Sequence, residues 1–288
     1  MGSVKEGVQL SQQDEISYCL KENPELALKR YGFCIIPAAV SKQQVDACRK
    51  YCIENKEVNE IVSNNSSLSF SAPIISDIPF HENTVEKLMD IHGGQYLMYP
   101  NYTIRKNLYI SWHVDIAFQK AVDGVNDVSD FLQCVVYFQD NDVDAGGGLS
   151  VIPGSHKRRL INGEYMVPAQ YLNVFGSEYT VPNKAGDMVI FDSRLLHRSS
   201  GGSDISQDDR FGVFWTTSKP SEKSGELLRY LREWRMEKNE GGCDKLHQRV
   251  LDMASLDYPN SFSHQAIKMM GQQKVKMCFL EEEVEPCQ

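Results

Sequence analysis

Six short apolar runs between residues 94 and 217 constrain the fold of this chain more than any other feature. They read "QYLMYP", "NLYISWHVDIAF", "FLQCVVYFQ", "GGLSVIP", "DMVIF" and "FGVFWTT", with turn-forming residues between them. Several short strands at such spacing are typical of a β-sandwich or a β-barrel. We therefore predict an all-β centre for this part of the chain.

Helical patterns flank the β centre on both sides. Residues 11–60 carry apolar side chains at helical intervals around a short strand "FCIIP", and Ser41 with Gln44 forms a capping box at a helix start. Beyond Pro220, "SGELLRYLREWRMEKNE" and "DKLHQRVLDMA" are helical again. This order predicts a single, mainly β domain with flanking helices. Its regions are an entry region of helices and a strand over 1–93, a β core over 94–217 and a helical region over 218–288, which together make up residues 1–288.

Composition excludes several classes of partner. The net charge of −9 argues against nucleic acid or an anionic membrane as the main partner. No apolar run reaches the ~20 residues that a membrane span needs. The N-terminus has no apolar signal segment, so we expect the eight cysteines to be reduced thiols of a cytoplasmic protein. The sequence gives no indication of an oligomeric state.

The run "SWHVDIAF" places a histidine and an aspartate, His113 and Asp115, two positions apart. In a regular strand both side chains would project from one face. A third candidate, His197, lies in the turn after the apolar strand of "GDMVIFDSRLLHRSSGG". Two imidazoles and one carboxylate with open positions form the facial triad of non-haem Fe(II) oxygenases. From "HVD" alone, a core histidine paired with a carboxylate is an equally good interpretation.

An arginine thirteen residues after His197, Arg210, opens the apolar strand "RFGVFWTT". Such a position is costly without an anionic partner. Arginine is suited to bidentate binding of a carboxylate, such as the far end of a chelating 2-oxo acid. The alternative is a structural ion pair with Asp208 or Asp209.

With these residues in view, the chain resembles the phytanoyl-CoA dioxygenase-like family of Fe(II)/2-oxoglutarate oxygenases. The segments that carry the resemblance are "WHVD", "DAGGGLSVIPGSHK", "AGDMVIFDSRLLHRSSGG" and "DDRFGVF", together with the opening "RYGFCIIPAAVSKQQVDAC". The resemblance implies a double-stranded β-helix (jelly-roll, cupin-like) core. It also implies Fe(II) as cofactor, with 2-oxoglutarate and O₂ as co-substrates.

The resemblance also implies roles for individual residues. His113, Asp115 and His197 would be the iron ligands, and Arg210 would hold the distal carboxylate of 2-oxoglutarate. The chain departs from the family at Gly212, where the family often has a small hydroxyl residue. The second anchor of the co-substrate is therefore open, and Gln133 is our candidate because it is the polar residue inside "FLQCVVYF".

The implied reaction is oxidation of a C–H bond in a small metabolite, by hydroxylation, desaturation or oxidative cyclisation. Related halogenases replace the carboxylate ligand, so an intact Asp115 argues against halogenation. An amino acid or another intermediate of natural-product biosynthesis is the substrate that we favour. The expected substrate contacts lie just before the "WHVD" run: Arg105, Lys106, Asn107 and Tyr109. Residues 62–80 and 119–130 are the candidate lids.

Two alternatives from other classes remain at this point. A metal-dependent hydrolase could use the same His/Asp/His ligands with Zn²⁺ and a bound water. A relative that only binds a metal or a small molecule would need no chemistry at all. Both alternatives predict that Arg210→Ala leaves function largely intact.

Overall fold

The computed structural model describes twelve stretches of the chain. They are residues 15–17, 19–20, 23–55, 72–107, 109–115, 130–142, 148–157, 176–200, 209–221, 223–225, 227–229 and 262–278. The helices are α1 (Pro24–Tyr31), α2 (Lys42–Glu54), α3 (Pro73–Ser76), α4 (Glu82–His92) and α5 (His264–Gly271), with 3₁₀ turns at Ile78–Phe80 and Ser155–Lys157. The strands are β1 (Phe33–Ile36), β2 (Tyr96–Met98), β3 (Thr103–Lys106), β4 (Phe131–Tyr137), β5 (Leu149–Val151), β6 (Tyr179–Val181), β7 (Met188–Asp192), β8 (His197–Ser199), β9 (Phe211–Ser218) and β10 (Val275–Met277).

The strands form two sheets. The larger sheet has the order β1-β7-β4-β9-β2-β10, with β3 also paired to β9. The smaller sheet has the order β6-β5-β8. All pairs within them are antiparallel except β2 with β10. The predicted mainly β architecture with flanking helices is therefore confirmed.

The larger sheet extends into both flanking regions of the chain. Strand β1 pairs with β7, and β10 pairs with β2, so both ends of this strand order come from outside residues 94–217. The helical prediction for residues 218–288 is wrong at β10, because Val275 and Met277 bury their side chains in this sheet. The division into a single domain stays a prediction.

Two other sequence predictions differ from the structure. Residues 109–115 form no regular strand; they make an isolated bridge at His113 and accept one further hydrogen bond from the Ser199 N–H at the Ile110 carbonyl. The end of the predicted 62–80 loop is helical, with Ile75, Ile78 and Phe80 buried. Residues 56–71, 116–129 and most of the helix predicted over 225–240 lie outside the described residues, so the lid predictions stay predictions. Among the described residues, no helix is long and apolar enough to cross a membrane.

Local sequence signals explain both ends of helix α1 and the start of helix α2. Helix α1 begins after Asn23, whose side chain accepts the Leu26 backbone N–H. It ends at Gly32, which has a left-handed φ of 87°. Helix α2 begins with the predicted capping box of Ser41 and Gln44, which is confirmed.

Gly32 is required for two reasons, and a substitution can separate them. A Cβ here would overlap the His156 ring and lie 2.8 Å from Leu195 Cδ1. Gly93 ends α4 with a similar φ of 76°, but a Cβ added there would meet no atom within 4 Å. We expect Gly93→Ala to lower the free energy of unfolding by about 1–2 kcal/mol. Gly32→Ala should lower it by about 1–3 kcal/mol more, because the core is overpacked.

Urea denaturation of the two variants and the parent protein measures this difference. Gly93→Ala is the matched control for the backbone cost of a left-handed alanine. Equal destabilisation by both substitutions would contradict the packing role of Gly32 beside His156.

A buried histidine makes stability depend on pH. His92 is buried, its Nε2 lies 2.9 Å from the Thr217 hydroxyl, and burial lowers its pKa to about 3. Unfolding restores a pKa of about 6.5, so the unfolded chain takes up the proton first as the pH falls. The stability that neutral His92 provides is therefore complete above about pH 6.5. Below that pH it is lost by about 1.4 kcal/mol per pH unit.

The His92→Gln variant tests this linkage, because glutamine keeps a hydrogen bond to Thr217 but does not titrate. Urea denaturation of the metal-free proteins at pH 6.5 and 5.5 should show about 1 kcal/mol less loss in the variant, since unfolded His92 is already half protonated at pH 6.5. Equal losses in the two proteins would show that His92 does not contribute.

Candidate metal and co-substrate site

Two histidines from distant parts of the chain meet through their backbones. The His113 N–H donates to the His197 carbonyl at 2.9 Å, and the His197 N–H donates to the His113 carbonyl at 3.0 Å. This bridge fixes His113 beside the start of β8. The two ring centroids are 4.1 Å apart, and both side chains are buried.

The orientation of both rings is set in the same way. Nδ1 of His113 lies 2.7 Å from the Ser111 carbonyl, and Nδ1 of His197 lies 2.9 Å from the Leu195 carbonyl. A carbonyl only accepts, so each Nδ1 carries the proton and each Nε2 presents a lone pair. A backbone carbonyl behind each ring is the usual support of a metal-binding histidine.

The carboxylate of Asp115 completes the cluster. Its Oδ1 lies 3.6 Å from Nε2 of His113, and its Oδ2 lies 3.6 Å from Nε2 of His197. The Asp115 N–H donates to the Ser193 carbonyl. Asp115 therefore lies beside the turn that follows β7. The described residues contain this one group of three potential ligands within 4.8 Å of one another.

The geometry and charges of this cluster fit a divalent metal ion. Separations of 3.6 Å are too long for hydrogen bonds but suit two ligands that each lie about 2.1 Å from one ion. Burial would raise the pKa of Asp115, but the His197 and His113 imidazoles, and more weakly Arg105, hold it below its ordinary value. Burial also lowers the pKa of His197 to about 4. Asp115 is thus ionised and His197 neutral at pH 7, the states in which both bind metals.

The cluster opens into a cavity between the two sheets. Phe191 of β7 packs on the His197 ring, with centroids 4.7 Å apart. The polar lining comprises Arg105, Asn107, Tyr109, Asp115, Gln133, Gln139, Arg198 and Arg210, with further serines and Tyr137. Asp115 is the one carboxylate among the lining residues in the described stretches. The cavity therefore attracts anions, although the whole chain is acidic.

Arg210 lines this cavity, and the chain positions it from two sides. Its backbone N–H donates to Oδ1 of Asn107 at 2.8 Å, and the Asn107 N–H donates to the Arg210 carbonyl at 3.0 Å. Its guanidinium donates to Oδ1 of Asn141 at 2.8 Å. Asn107, predicted as a substrate contact, thus also holds the backbone of Arg210.

Gln133 lines the same cavity but lies far from Arg210. Its register partner on β9 is Thr216, six residues beyond Arg210. Six residues of a strand span about 20 Å, more than the two side chains can bridge. The Thr216 hydroxyl donates to Oε1 of Gln133 at 3.0 Å. Gln133 therefore belongs to the end of the cavity near Phe191 and cannot share one carboxylate with Arg210.

Arg105 and Lys106 were both predicted to contact the substrate, but they are neighbours in β3, and successive side chains of a strand point to opposite faces. Arg105 lines the cavity, whereas Lys106 does not and instead forms an ion pair with Asp209 at 2.9 Å. The prediction that Lys106 contacts the substrate therefore finds no support in its position. Tyr109 lines the cavity with 42% exposure, which places it at the mouth.

The sequence analysis missed several cavity residues, among them Arg198, Tyr137 and Phe214. Arg198 follows His197 directly and forms an ion pair with Glu178 at 2.7 Å. Tyr137 shares its strand parity with Gln133, and Phe214 shares its strand parity with Arg210. Side chains at every second position of a strand lie on the same face. Counting in twos from Gln133 along "FLQCVVYF" and from Arg210 along "RFGVFWTT" would therefore have identified Tyr137 and Phe214.

The fold and this cluster define the class of protein. Solved structures with the same fold include the EctD protein of S. alaskensis with 2-oxoglutarate and 5-hydroxyectoine bound (TM-score 0.55, 19% identity, 69% of this chain and 76% of that chain). They also include SnoK, a non-haem alpha-ketoglutarate-dependent carbocyclase from nogalamycin biosynthesis (TM-score 0.54, 19% identity, 74% of this chain and 92% of that chain). The fold is therefore the cupin-like fold of 2-oxoglutarate-dependent oxygenases, which confirms the predicted fold class.

The sequence comparisons identify a narrower group. Residues 80–210 match the family model of phytanoyl-CoA dioxygenase (PhyH). The chain therefore carries a PhyH-like segment, as its motifs predicted. The ectoine dioxygenase of Bordetella parapertussis is 32% identical over 143 residues, which are 43% of this chain and 44% of that protein. The chain thus spans less than half the length of the curated relatives that it matches.

Proposed function

We propose that this protein is an Fe(II)- and 2-oxoglutarate-dependent dioxygenase that oxidises a C–H bond of a small metabolite. The observation that carries the proposal is the His113–Asp115–His197 cluster at the edge of a cavity that Arg210 also lines. Two imidazoles and one carboxylate leave open positions for a chelating 2-oxo acid and O₂. A cationic side chain in the same cavity suits the distal carboxylate of that acid.

Bound iron would supply the oxidation of a substrate C–H bond, coupled to conversion of 2-oxoglutarate and O₂ into succinate and CO₂. The chain's own residues supply geometry. The carbonyls of Ser111 and Leu195 hold the two imidazoles with Nε2 toward the ligand site. Asn107 and Asn141 hold Arg210, and Phe191 covers one side of His197.

The substrate that we propose is a small molecule bearing an oxidisable C–H bond, such as an amino acid or an intermediate of natural-product biosynthesis. Tyr109 at the mouth and Arg105 inside the cavity are in position to contact it. A cytoplasmic location is part of the proposal, because the six described cysteines are all free and buried thiols.

The hydrolase alternative is disfavoured by the cavity itself. A metal-dependent hydrolase needs a base beside the bound water, usually a second carboxylate or a histidine. Asp115 is the one carboxylate, and His113 and His197 are the histidines, among the described lining residues. In a hydrolase these three residues would all be metal ligands, so no carboxylate or histidine of the described lining would remain to act as the base. Arg210 would also have no role.

Anaerobic spectroscopy tests the class directly. Fe(II) is added to the purified protein, followed by 2-oxoglutarate, and we expect the weak visible charge-transfer band of a chelated 2-oxo acid. Admitting O₂ should then release succinate slowly even without a substrate. Stoichiometric Fe(II) binding with neither a band nor succinate would contradict the proposal and favour a hydrolase or a binding protein.

A further inference from the structure

The side chain of Arg210 is held by an amide that is itself held from outside the cavity. Nη1 of Arg210 donates to Oδ1 of Asn141 at 2.8 Å. Nδ2 of Asn141 donates to Oδ1 of Asn183 at 3.1 Å, and Nδ2 of Asn183 donates to the Lys184 carbonyl at 3.2 Å. These three hydrogen bonds form an amide relay that runs from Arg210 to the turn between β6 and β7.

The direction of every bond in the amide relay is fixed by its two ends. A guanidinium only donates, and a backbone carbonyl only accepts. The Arg210 end therefore requires the oxygen of the Asn141 amide, and the Lys184 end requires the nitrogen of the Asn183 amide. The remaining bond then joins the Asn141 nitrogen to the Asn183 oxygen, as the structure has it. Asn183 thus determines which atom Asn141 presents to the guanidinium.

Packing leaves the two asparagines little freedom to turn. Asn141 is 2% exposed and Asn183 is 5% exposed, and their backbones exchange hydrogen bonds of 2.9 and 3.0 Å. A Cβ on Gly148 would lie 2.9 Å from Cβ of Asn141, so the absence of a side chain at this position makes room for the relay. A buried amide that loses its partner is costly, so each member of the relay stabilises the orientation of the next.

The relay orients Arg210 through neutral groups. Two nearby carboxylates are engaged by lysines instead: Asp140 pairs with Lys184 at 2.9 Å, and Asp209 pairs with Lys106 at 2.9 Å. An amide oxygen fixes the direction of a guanidinium without bringing a negative charge of its own. The relay therefore suits a cation whose charge is needed for an anionic ligand in the cavity.

We propose that Asn183 is a positioning residue for Arg210, which fixes through the amide of Asn141 the orientation in which the guanidinium binds the distal carboxylate of 2-oxoglutarate. This inference rests on the proposed function. Asn183 is absent from the described lining of the cavity, so it contacts neither acid nor metal. Its replacement should therefore act on the co-substrate only through Arg210.

A double-mutant cycle on the anaerobic Fe(II) protein tests this inference. The variants are Asn183→Leu, which keeps the side-chain shape without hydrogen bonds, Arg210→Ala and the combination of the two. Dissociation constants are measured by calorimetry and from the charge-transfer band for 2-oxoglutarate and for 2-oxopentanoate, which has an equally long carbon chain but no distal carboxylate. Asn83→Leu is the matched control, because Asn83 also donates to a carbonyl, that of Ala38, and is absent from the cavity lining.

We expect Asn183→Leu to weaken 2-oxoglutarate binding by about 3- to 10-fold, the range of one neutral hydrogen bond. Binding of 2-oxopentanoate should change by less than about twofold. In the Arg210→Ala background, Asn183→Leu should add less than about twofold, because the relay then has no guanidinium to orient. Asn183→Asp keeps an acceptor for Asn141 and should retain more affinity than the leucine variant, and Asn83→Leu should match wild type.

Three outcomes would overturn the inference while the proposed function stands. One is an unchanged 2-oxoglutarate affinity in Asn183→Leu. The others are equal weakening of both acids and equal weakening with and without Arg210, which would show that Asn183 supports the fold rather than the guanidinium. If urea denaturation shows that the leucine variant is unfolded, Asn183→Ala takes its place in the cycle with the same expectations. If wild type binds Fe(II) but neither acid, the proposed function itself fails.

Discussion

Replacing His197 by alanine is expected to weaken Fe(II) binding by at least about 100-fold, because one of three protein ligands is lost. The 2-oxoglutarate band and succinate release should fall to background with it. His197 has no second histidine beside it to take its place, since His113 already belongs to the cluster in the described stretches. Calorimetry and anaerobic absorption titration measure both effects.

A histidine away from the cavity provides the control for that experiment. His81 lies beside Gln44, with 2.9 Å between its Nε2 and the amide nitrogen, and it is absent from the cavity lining. His81→Ala should keep full Fe(II) binding and the band. If His197→Ala still bound one equivalent of Fe(II) with wild-type affinity, the His113–Asp115–His197 cluster would not be the metal site.

Replacing Arg210 by alanine is expected to leave Fe(II) binding intact and to weaken 2-oxoglutarate binding by about 10- to 100-fold. The reason is the loss of a cation positioned by Asn107 and Asn141 at the end of the cavity. Succinate release at low 2-oxoglutarate should fall in the same proportion and should recover in part at high concentration. Steady-state kinetics over a range of 2-oxoglutarate concentrations separates these effects.

The control for Arg210 is an arginine on the surface. Arg30 pairs with Glu15 at 2.7 Å and is 52% exposed, so Arg30→Ala removes the same charge far from the cavity. Wild-type 2-oxoglutarate affinity in Arg210→Ala would contradict its role and would agree with the hydrolase and binding-protein alternatives.

The arrangement of cations in the cavity also bears on which 2-oxo acids the candidate site would prefer. Arg105 and Arg210 flank Gly212 on one face of the larger sheet, and Asp115 is the carboxylate that faces them in the described lining. Under the proposed function, these cations favour dicarboxylate 2-oxo acids over monocarboxylate ones by electrostatics as well as by hydrogen bonding.

Much of the β core could be predicted from the sequence because its strands are short, apolar and separated by turn residues. Strands β2, β4, β5, β7 and β9 lie within the predicted runs, and β1 within "FCIIP". Strands β3, β6, β8 and β10 were missed, because each has only three or four residues and mixed polarity. Such strands are recognised by their partners rather than by their own pattern.

The run "SWHVDIAF" contributes His113 and Asp115 to the candidate cluster, but its prediction as a regular strand is wrong over residues 111–115. Its apolar and polar residues alternate, yet residues 109–115 meet β8 through an isolated bridge at His113 and one hydrogen bond from the Ser199 N–H to the Ile110 carbonyl. Asp115 turns toward Ser193 instead, and this bend brings its carboxylate to both imidazoles. Alternation in a sequence reports which side chains are buried, whereas pairing depends on a partner strand elsewhere in the chain.

Residue types and their spacing along the chain were enough to predict the β-rich class, the capped helices and the three candidate ligands, because each of these is a local property. Which cations stand beside the ligands depends instead on how the strands pair. Arg105 lies in the mixed-polarity strand β3 and Gln133 in the apolar strand β4, and the register of both with β9 places Arg105 next to Gly212 and Gln133 six residues from Arg210. Register is held by hydrogen bonds between residues 75 to 111 positions apart, so no single stretch of sequence contains it.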